Sequence, residues 1–220
     1  ARNGTLKELI ASRQVTRVQF RTIISEIAAA LAALHQRSIL HLDLKPSNVL
    51  VRSVSPLNLI LTDFGISTLL DTDLSRQITS TKGTPMYWAP EQLGNVVGRE
   101  ADYWSLGVIA LEIAQGHHPF AGMNHNLILS TLSTRGISVP ADLHPRTSLL
   151  LKGLLTRDPK KRWGQKEIAA WLVGRQNIPV HYEHEELSSR GSQAPYEFRG
   201  TRYAGLTELC EAFIHDPASW

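Results

Sequence analysis

Residues 41–48 read His-Leu-Asp-Leu-Lys-Pro-Ser-Asn and lie between two short apolar runs, Ile39–Leu40 and Val49–Val51. An Asp and a Lys two residues apart, with an Asn five residues after the Asp, place an acceptor, a cation and an amide oxygen on one polar loop. This combination suits phosphoryl transfer, because there the protein mainly positions the reacting groups and neutralises their charge. The loop therefore predicts a site for phosphoryl chemistry.

A second carboxylate follows the next apolar run. The sequence Asp63-Phe-Gly65 comes just after Leu59–Leu61, so the carboxylate leaves a predicted short strand at a bend that glycine permits. Carboxylate and amide oxygens are the hard ligands that Mg²⁺ prefers. Asp63 and Asn48 are therefore candidate magnesium ligands, although Asp-Phe-Gly taken alone predicts only a turn.

The apolar pattern around these loops predicts a mainly helical body. Residues 15–36 carry apolar side chains at helical spacing and indicate a long, mostly buried helix. Further helices are predicted at about 102–115, 124–133, 146–155 and 165–172. Short strands are predicted at 39–40, 49–51 and 59–61.

Composition excludes several classes of protein. With 42% hydrophobic residues among 220, the chain can bury a sizeable core, so a disordered chain is not expected. No apolar run approaches the roughly 18 residues of a membrane span. The single cysteine, Cys210, excludes an internal disulfide framework and a cysteine-rich zinc site, and it fits a reducing compartment. We expect a cytoplasmic protein, and we read no secretory leader at its start.

The charge is uneven along the chain. Residues 1–175 carry a net charge of +7 and residues 176–220 a net charge of −4. We interpret 176–195 as a linker and 196–220 as a small hairpin and helix extension. Scattered arginines without an aromatic-interleaved basic run argue against nucleic-acid binding.

Five motifs in this order resemble the large, C-terminal lobe of a eukaryotic-like (Hanks-type) serine/threonine protein kinase. They are the 41–48 loop, Asp63-Phe-Gly65, Gly83-Thr-Pro-Met-Tyr-Trp-Ala-Pro-Glu91, Asp102-Tyr-Trp-Ser-Leu-Gly107 and Arg157-Asp-Pro-Lys-Lys-Arg162. The resemblance covers roughly residues 4–175. It implies a mainly α (α+β) fold, a helical bundle with short β-hairpins in the catalytic region, over residues 1–175.

The resemblance also assigns roles to the catalytic region. It implies that Asp43 is the catalytic base, that Lys45 contacts the transferred phosphate, and that Asn48 and Asp63 hold the Mg²⁺ ions on ATP. Leu50 would face the adenine ring. The form Asp-Leu-Lys-Pro-x-Asn, without the Ala and Arg of tyrosine kinases, points to Ser or Thr in protein substrates.

Other matched residues would serve the structure. The resemblance implies that His41 and Phe64 stack in a column of apolar side chains, and that Asp102 braces the backbone of the catalytic loop. It also implies that Glu91 pairs with Arg162. Loss of either partner of a buried ion pair costs about 3–5 kcal/mol, so these two residues are expected to matter more for folding than for chemistry.

Residues 66–88 correspond to the activation segment of the family. By position, the phosphorylation candidates within it are Thr79, Ser80 and Thr81. Solvated loop hydroxyls are an equally good interpretation of the three. Thr84, inside Gly-Thr-Pro, would instead hydrogen-bond Asp43 and Lys45 and help to position the substrate.

The sequence departs from the family in two respects. Leu42 stands where many kinases place an Arg that pairs with an activation-segment phosphate, so we expect constitutive competence or another form of control. The 220 residues also contain no match to the small lobe, neither its glycine-rich loop nor its Val-Ala-x-Lys strand. We expect the small lobe to come from upstream sequence or in trans, and the isolated chain to be inactive or very weak. The excess of arginine over lysine, 16 to 7, is typical of bacterial members.

Two other functions stay open. The chain could be a pseudokinase-like scaffold that holds a partner through a groove near 124–133 and its acidic tail. It could also be a small-molecule kinase of the aminoglycoside or choline type, which uses a similar His-x-Asp loop. That class lacks the Gly-Thr-Pro and Ala-Pro-Glu segment, and a scaffold has no need to keep Asp43, Lys45, Asn48 and Asp63.

Overall fold

The computed structural model describes residues 3–13, 15–63, 68–69, 76–77, 85–94, 96–183, 196–198 and 201–203. The chain divides into two compact units, residues 1–184 and residues 185–220. None of the described helices is long and apolar enough to cross a membrane.

Six α-helices lie in the described part of the first unit, and the mainly α fold class is confirmed. In chain order they are α1 (Leu6–Ala11), α2 (Arg17–His35), α3 (Arg99–Gln115), α4 (His125–Thr134), α5 (Pro145–Leu154) and α6 (Gln165–Leu172). Helices α2 to α6 were all predicted from apolar spacing. Helix α1 was not, because its six residues are too few to show a period.

Local side chains fix where the helices begin and end. The Thr16 hydroxyl accepts a hydrogen bond from the Gln19 amide at 3.2 Å and starts α2. In the same way, the Asn124 side chain accepts from the Leu127 amide at 2.9 Å and starts α4. Gly116 ends α3 with a left-handed φ of 74°, a conformation that glycine adopts without strain.

Helix α3 is the centre of the core. Its residues 101–111 are all buried, so it has no polar face, as expected for a helix enclosed by protein. Gly107 allows α5 to approach closely, since a Cβ there would lie only 2.8 Å from the Cβ of Leu154. The helix begins at Arg99, ahead of the predicted start at Asp102, and this places Asp102 inside its first turn.

A β-hairpin joins the polar loop at 41–48 to the polar residues that begin at Thr62, and both lie at the same end of the hairpin. Strands β1 (Ile39–Leu40), β2 (Val49–Val54) and β3 (Leu57–Leu61) follow α2, and β2 pairs antiparallel with β3. The Glu26 carboxylate of α2 accepts hydrogen bonds from the Asn58 side chain at 2.9 Å and the Leu59 amide at 3.2 Å. The hairpin is thereby attached to the longest helix of the unit.

Shorter strands complete the described first unit. Strand β4 (Thr68–Leu69) pairs with β1, and β5 (Arg76–Gln77) pairs with β6 (Val96–Val97). Residues 178–182 lie in the segment interpreted as a linker, yet they pack on this unit. Ile178 is buried, and the Tyr182 hydroxyl donates to the Ile137 carbonyl at 2.7 Å. A polar, aperiodic sequence had given no sign of this packing.

The second unit contains a two-stranded hairpin. Strands β7 (Tyr196–Phe198) and β8 (Thr201–Tyr203) pair antiparallel, with Tyr196 opposite Tyr203. The hairpin predicted from alternating aromatic and polar residues is therefore present. The short helix predicted from Leu206, Leu209 and Phe213 lies outside the described residues.

Candidate active site

The loop at 41–48 is anchored on a single buried carboxylate. Asp102 of α3 is fully buried, and it accepts hydrogen bonds from the His41 amide at 3.0 Å and the Leu42 amide at 2.8 Å. The His35 ring, at the end of α2, lies 2.8 Å from the same carboxylate through Nε2. Because an ionised carboxylate only accepts, Nε2 carries the hydrogen of this bond. The predicted brace from Asp102 to the loop is present.

This anchor holds a strained backbone. Leu42 has a φ of 62°, in the left-handed region that a residue with a branched side chain rarely adopts. Such a conformation costs about 1–3 kcal/mol and persists only where the surroundings fix it. The bond to Asp102 and the burial of the Leu42 side chain both fix it here. The next residue, Asp43, is presented by this turn.

Three polar side chains meet directly after the turn. The Lys45 ammonium donates to Asp43 Oδ2 at 2.7 Å, and the Asn48 amide nitrogen donates to the same oxygen at 3.0 Å. Asn48 also donates to the Asp43 carbonyl at 2.9 Å, which closes the loop. The Asp43 side chain is 11% exposed, so it is largely enclosed and its charge is met by two donors. The structure thus brings the three predicted catalytic residues together.

The register of the hairpin brings Asn48 close to the end of β3. Val49 pairs with Leu61, and the Thr62 amide donates to the Asn48 carbonyl at 2.9 Å. Asp63 follows at once; it is exposed and has a φ of 64°, in the left-handed region. The two candidate magnesium ligands therefore lie at the same end of the hairpin.

Asn48 and Asp63 offer few ligand atoms, which suits Mg²⁺ better than a metal that takes all of its ligands from the protein. The described residues contain no group of three or more His, Cys, Asp or Glu side chains able to hold a metal ion. The nitrogen of the Asn48 amide donates to Asp43, and its oxygen accepts a long bond of 3.4 Å from the Ser47 hydroxyl. Because a carbonyl oxygen has two lone pairs, this oxygen can still hold a cation. An amide oxygen and one exposed carboxylate match a magnesium site that is completed by substrate phosphates and water.

Leu50 lies on the other face of β2 from the core. Side chains alternate along a strand, and Val49 and Val51 are buried while Leu50 is half-buried. Its partner across the hairpin, Ile60, is 42% exposed. The two form a small apolar surface, hereafter the Leu50–Ile60 face.

Several predicted residues lie elsewhere or outside the described part. The His41 ring is fully buried beneath the loop, as expected for a residue of the core. Five other predicted residues lie outside the described part of the chain: Phe64, Thr79, Ser80, Thr81 and Thr84.

The predicted ion pair between Glu91 and Arg162 is present and almost fully enclosed. Arg162 Nη1 and Nη2 donate to the two carboxylate oxygens at 2.5 and 2.9 Å. The other donors reach the carbonyls of Thr156 at 2.8 Å, Glu100 at 2.9 Å and Arg157 at 3.0 Å. All five N–H groups of the guanidinium are therefore used, which a buried arginine requires. The pair joins the segment after the activation region to the body.

A cluster that was not predicted lies beside the same segment. The Tyr87 hydroxyl donates to Glu112 Oε2 at 2.8 Å, and the His118 ring packs edge-on against Tyr87 with centroids 4.8 Å apart. Burial raises the pKa of Tyr87 and of Glu112, and burial lowers the pKa of His118 to about 4. The one signal in the sequence is the acidic Glu112 between apolar Leu111 and Ile113.

The known proteins that this chain resembles are protein kinases. A family model described as the protein kinase domain matches residues 1–171. The chain is 32% identical over 179 residues to the maternal embryonic leucine zipper kinase of Xenopus tropicalis, covering 80% of this chain and 27% of that protein. It is 32% identical over 216 residues to the serine/threonine-protein kinase ULK3 of Xenopus laevis, covering 95% and 46%. A match to protein kinase 2 of Dictyostelium discoideum is 37% identical over 143 residues, covering 64% and 29%. The chain thus spans between about a quarter and a half of these relatives.

We expect Arg162→Met to lower the free energy of unfolding by about 3–5 kcal/mol, because it leaves the Glu91 carboxylate, which is only 15% exposed, without its cation. The neighbouring Lys161→Met is the matched control. Lys161 is 52% exposed and reaches Asp158 at only 3.8 Å, so its loss should cost less than about 1 kcal/mol. Urea unfolding followed by circular dichroism measures both, and equal losses in the two variants would contradict the assignment.

The buried His118 should make stability depend on pH. Its pKa is about 4 in the folded chain against the ordinary 6.5, so between these values the unfolded chain binds a proton that the folded chain refuses. The free energy of unfolding therefore falls as pH drops from 6.5 to 4. In His118→Asn this part of the decrease should vanish, whereas it should remain in His117→Asn, since His117 is exposed. Denaturant titrations at pH 7, 6, 5 and 4 test this, and an unchanged pH profile for His118→Asn would refute it.

Proposed function

The chain belongs to the protein kinase family, and we propose that it forms the large lobe of a serine/threonine protein kinase. Protein kinases use ATP and Mg²⁺, and the proposed reaction transfers the γ-phosphate of ATP to a Ser or Thr hydroxyl of a protein. The observation that carries the proposal is the contact of Lys45 and Asn48 with one carboxylate oxygen of Asp43.

Asp43 acts as the base in this proposal. Its carboxylate orients the substrate hydroxyl and accepts the proton as the oxygen attacks phosphorus. The anchor at Asp102 supports this role, because it fixes the backbone on which Asp43 is mounted. Positioning of this kind accounts for a large part of the rate in reactions where the protein forms no bond itself.

Lys45, Asn48 and Asp63 handle charge. The Lys45 ammonium forms an ion pair with Asp43, and it stabilises the negative charge of the transferred phosphoryl group. The Asn48 amide oxygen and the Asp63 carboxylate hold Mg²⁺, which supplies neutralisation of the phosphate oxygens when bound. The closeness of Asn48 to the end of β3 supports this pairing.

We propose that the Leu50–Ile60 face forms one wall of the adenine site and that a small lobe from outside this chain forms the other. A partly exposed apolar surface beside the magnesium ligands supports this arrangement. With one wall only, the isolated chain binds nucleotide weakly and transfers phosphate slowly or not at all.

Control of the enzyme does not depend on a cation at position 42. Leu42 is 4% exposed, and an apolar residue gives an activation-segment phosphate no charge partner. Thr79, Ser80 and Thr81 remain the phosphorylation candidates in the proposal, and Thr84 remains a positioning residue. Constitutive competence, or control by another contact, follows from Leu42.

The domain plan is also proposed. The lobe predicted over residues 1–175 extends to residue 182, because Ile178 and Tyr182 of the predicted 176–195 linker pack on it. The rest of that segment is the linker, and residues 196–220 form an extension of separate function. A cytoplasmic location is part of the proposal, because one cysteine in 220 residues fits a reducing compartment. The alternative function, a scaffold, is supported by two exposed apolar residues near the start of α4, Met123 and Leu127.

The test is activity of the longest natural polypeptide that contains these 220 residues, assayed with Mg-ATP and a generic Ser/Thr peptide. Asp43→Asn should lower kcat about 100-fold or more, since it removes the base while keeping the shape. Its KM for ATP should change little. Asp142→Asn is the matched control, because Asp142 is exposed and lies outside the loop.

Asp63→Asn, assayed over a range of Mg²⁺, should shift the concentration needed for activity upward. Absence of transfer by the wild-type polypeptide, or a normal kcat in Asp43→Asn, would overturn the proposal in favour of the scaffold.

A further inference from the structure

A cavity lies away from the catalytic loop. Its volume is about 390 Å³, within the usual size range of small-ligand pockets. It is lined by the start of α2, the end of α3, the segment that leads into α5 with the start of α5, and α6. None of the residues 41–48 lines it, so it is separate from the proposed active site.

The floor of this cavity is apolar. Phe20 and Trp171 are buried there, and Ile113 and Leu143 pack beside them. The Trp171 indole is fixed in place, because its Nε1 donates to the Arg146 carbonyl at 2.7 Å. The cavity therefore has a rigid aromatic surface against which an apolar body can stack.

The rim of the cavity is cationic. Arg17, Arg21 and Arg146 line it together with His144, and among the described residues no Asp or Glu does. The guanidinium carbons of Arg21 and Arg146 lie 5.8 and 5.4 Å from the Trp171 ring centroid. These arginines are thus held over the aromatic floor by cation–π contact.

The positive charge of the rim is not neutralised within the described residues. Arg21 and Arg146 each donate one Nη2 to a neutral carbonyl, of Leu172 and Trp171 respectively. A guanidinium has five donors, so both retain donors for a ligand. For the Arg17 guanidinium, the described part of the chain offers neither a hydrogen bond nor an ion pair.

The start of α2 adds to this charge. Thr16 and Arg17, at the N-terminus of a 19-residue helix, both line the cavity. A helix N-terminus carries a partial positive charge and favours anions. The acidic residue beside Ile113, Glu112, is engaged by the Tyr87 hydroxyl at 2.8 Å and does not line the cavity.

We propose that this cavity binds a small amphipathic anion, a molecule with one carboxylate or phosphate and a compact acyl or aromatic body. The apolar body lies on Phe20 and Trp171, and the anionic group lies among the three arginines. Arginine pairs with either anion through parallel N–H donors, so the shared chemistry is the anionic head on an apolar body. A cavity of about 390 Å³ suits a single small molecule.

Binding is measured on the 220-residue chain by NMR, through the indole N–H resonance of Trp171, identified by its loss in Trp171→Phe. The probes are decanoate and decyl phosphate below their critical micelle concentrations, and the neutral decanol below its solubility limit. Decanoate and decyl phosphate should shift this resonance in a saturable manner, and decanol should bind at least tenfold more weakly. Which of the two anions binds more tightly distinguishes the carboxylate from the phosphate source.

Arg17→Gln should weaken binding of the anions at least fivefold and leave decanol unchanged. Arg37→Gln, just beyond the other end of α2, is the matched control and should bind as the wild type does. Equal affinity for decanol and decanoate, no saturable shift with any probe, or wild-type affinity in Arg17→Gln would each overturn the proposal. Because the readout is binding alone, its failure is distinct from failure of the kinase assay.

Discussion

The carboxylate of Asp102 is the contact on which the rest of the site depends. It sits fully buried in the central helix and gathers three donors, the amides of His41 and Leu42 and the ring of His35. A buried charge is tolerated only when it is satisfied in this way, and the same bonds that satisfy it hold Leu42 in a left-handed conformation. The hydrogen bonds that satisfy the buried carboxylate therefore also set the shape of the loop. This loop backbone in turn positions Asp43.

Two other sets of contacts position the rest of the site. Asn48 directly precedes β2, and Asp63 comes two residues after the end of β3. Because β2 and β3 pair antiparallel, Asn48 and Asp63 lie at the same end of the hairpin. Arg162 ties the segment containing Glu91 to the body through five hydrogen bonds, and its guanidinium lies 5.0 Å from the centroid of the Trp104 ring in α3. The catalytic residues are thus positioned by two buried polar groups, Asp102 and Arg162, whose hydrogen bonds are all made within the protein.

The features that could be predicted are those that show in residues close together in the sequence. Helices α2 to α6 and the hairpin strands show their period in the residues themselves, and the loop motif with its family resemblance indicated Asp102 and the ion pair of Arg162. The Tyr87, Glu112 and His118 cluster was missed, because its members are distant in sequence and meet only through tertiary packing. The arginine-rimmed cavity was missed for the same reason. Its charge comes from α2 and α5, whose separate sequences show only scattered arginines.

Amide hydrogen exchange in Asp102→Asn tests the central claim most directly. An Asn side chain offers one acceptor oxygen to three donors, so the account predicts that the amide of His41 or of Leu42 loses protection at least tenfold. The amides of α2 residues 23–31 should keep theirs, which separates release of the loop from global unfolding. Unchanged protection of both loop amides, in a variant that remains folded, would contradict the claim that this carboxylate holds the loop.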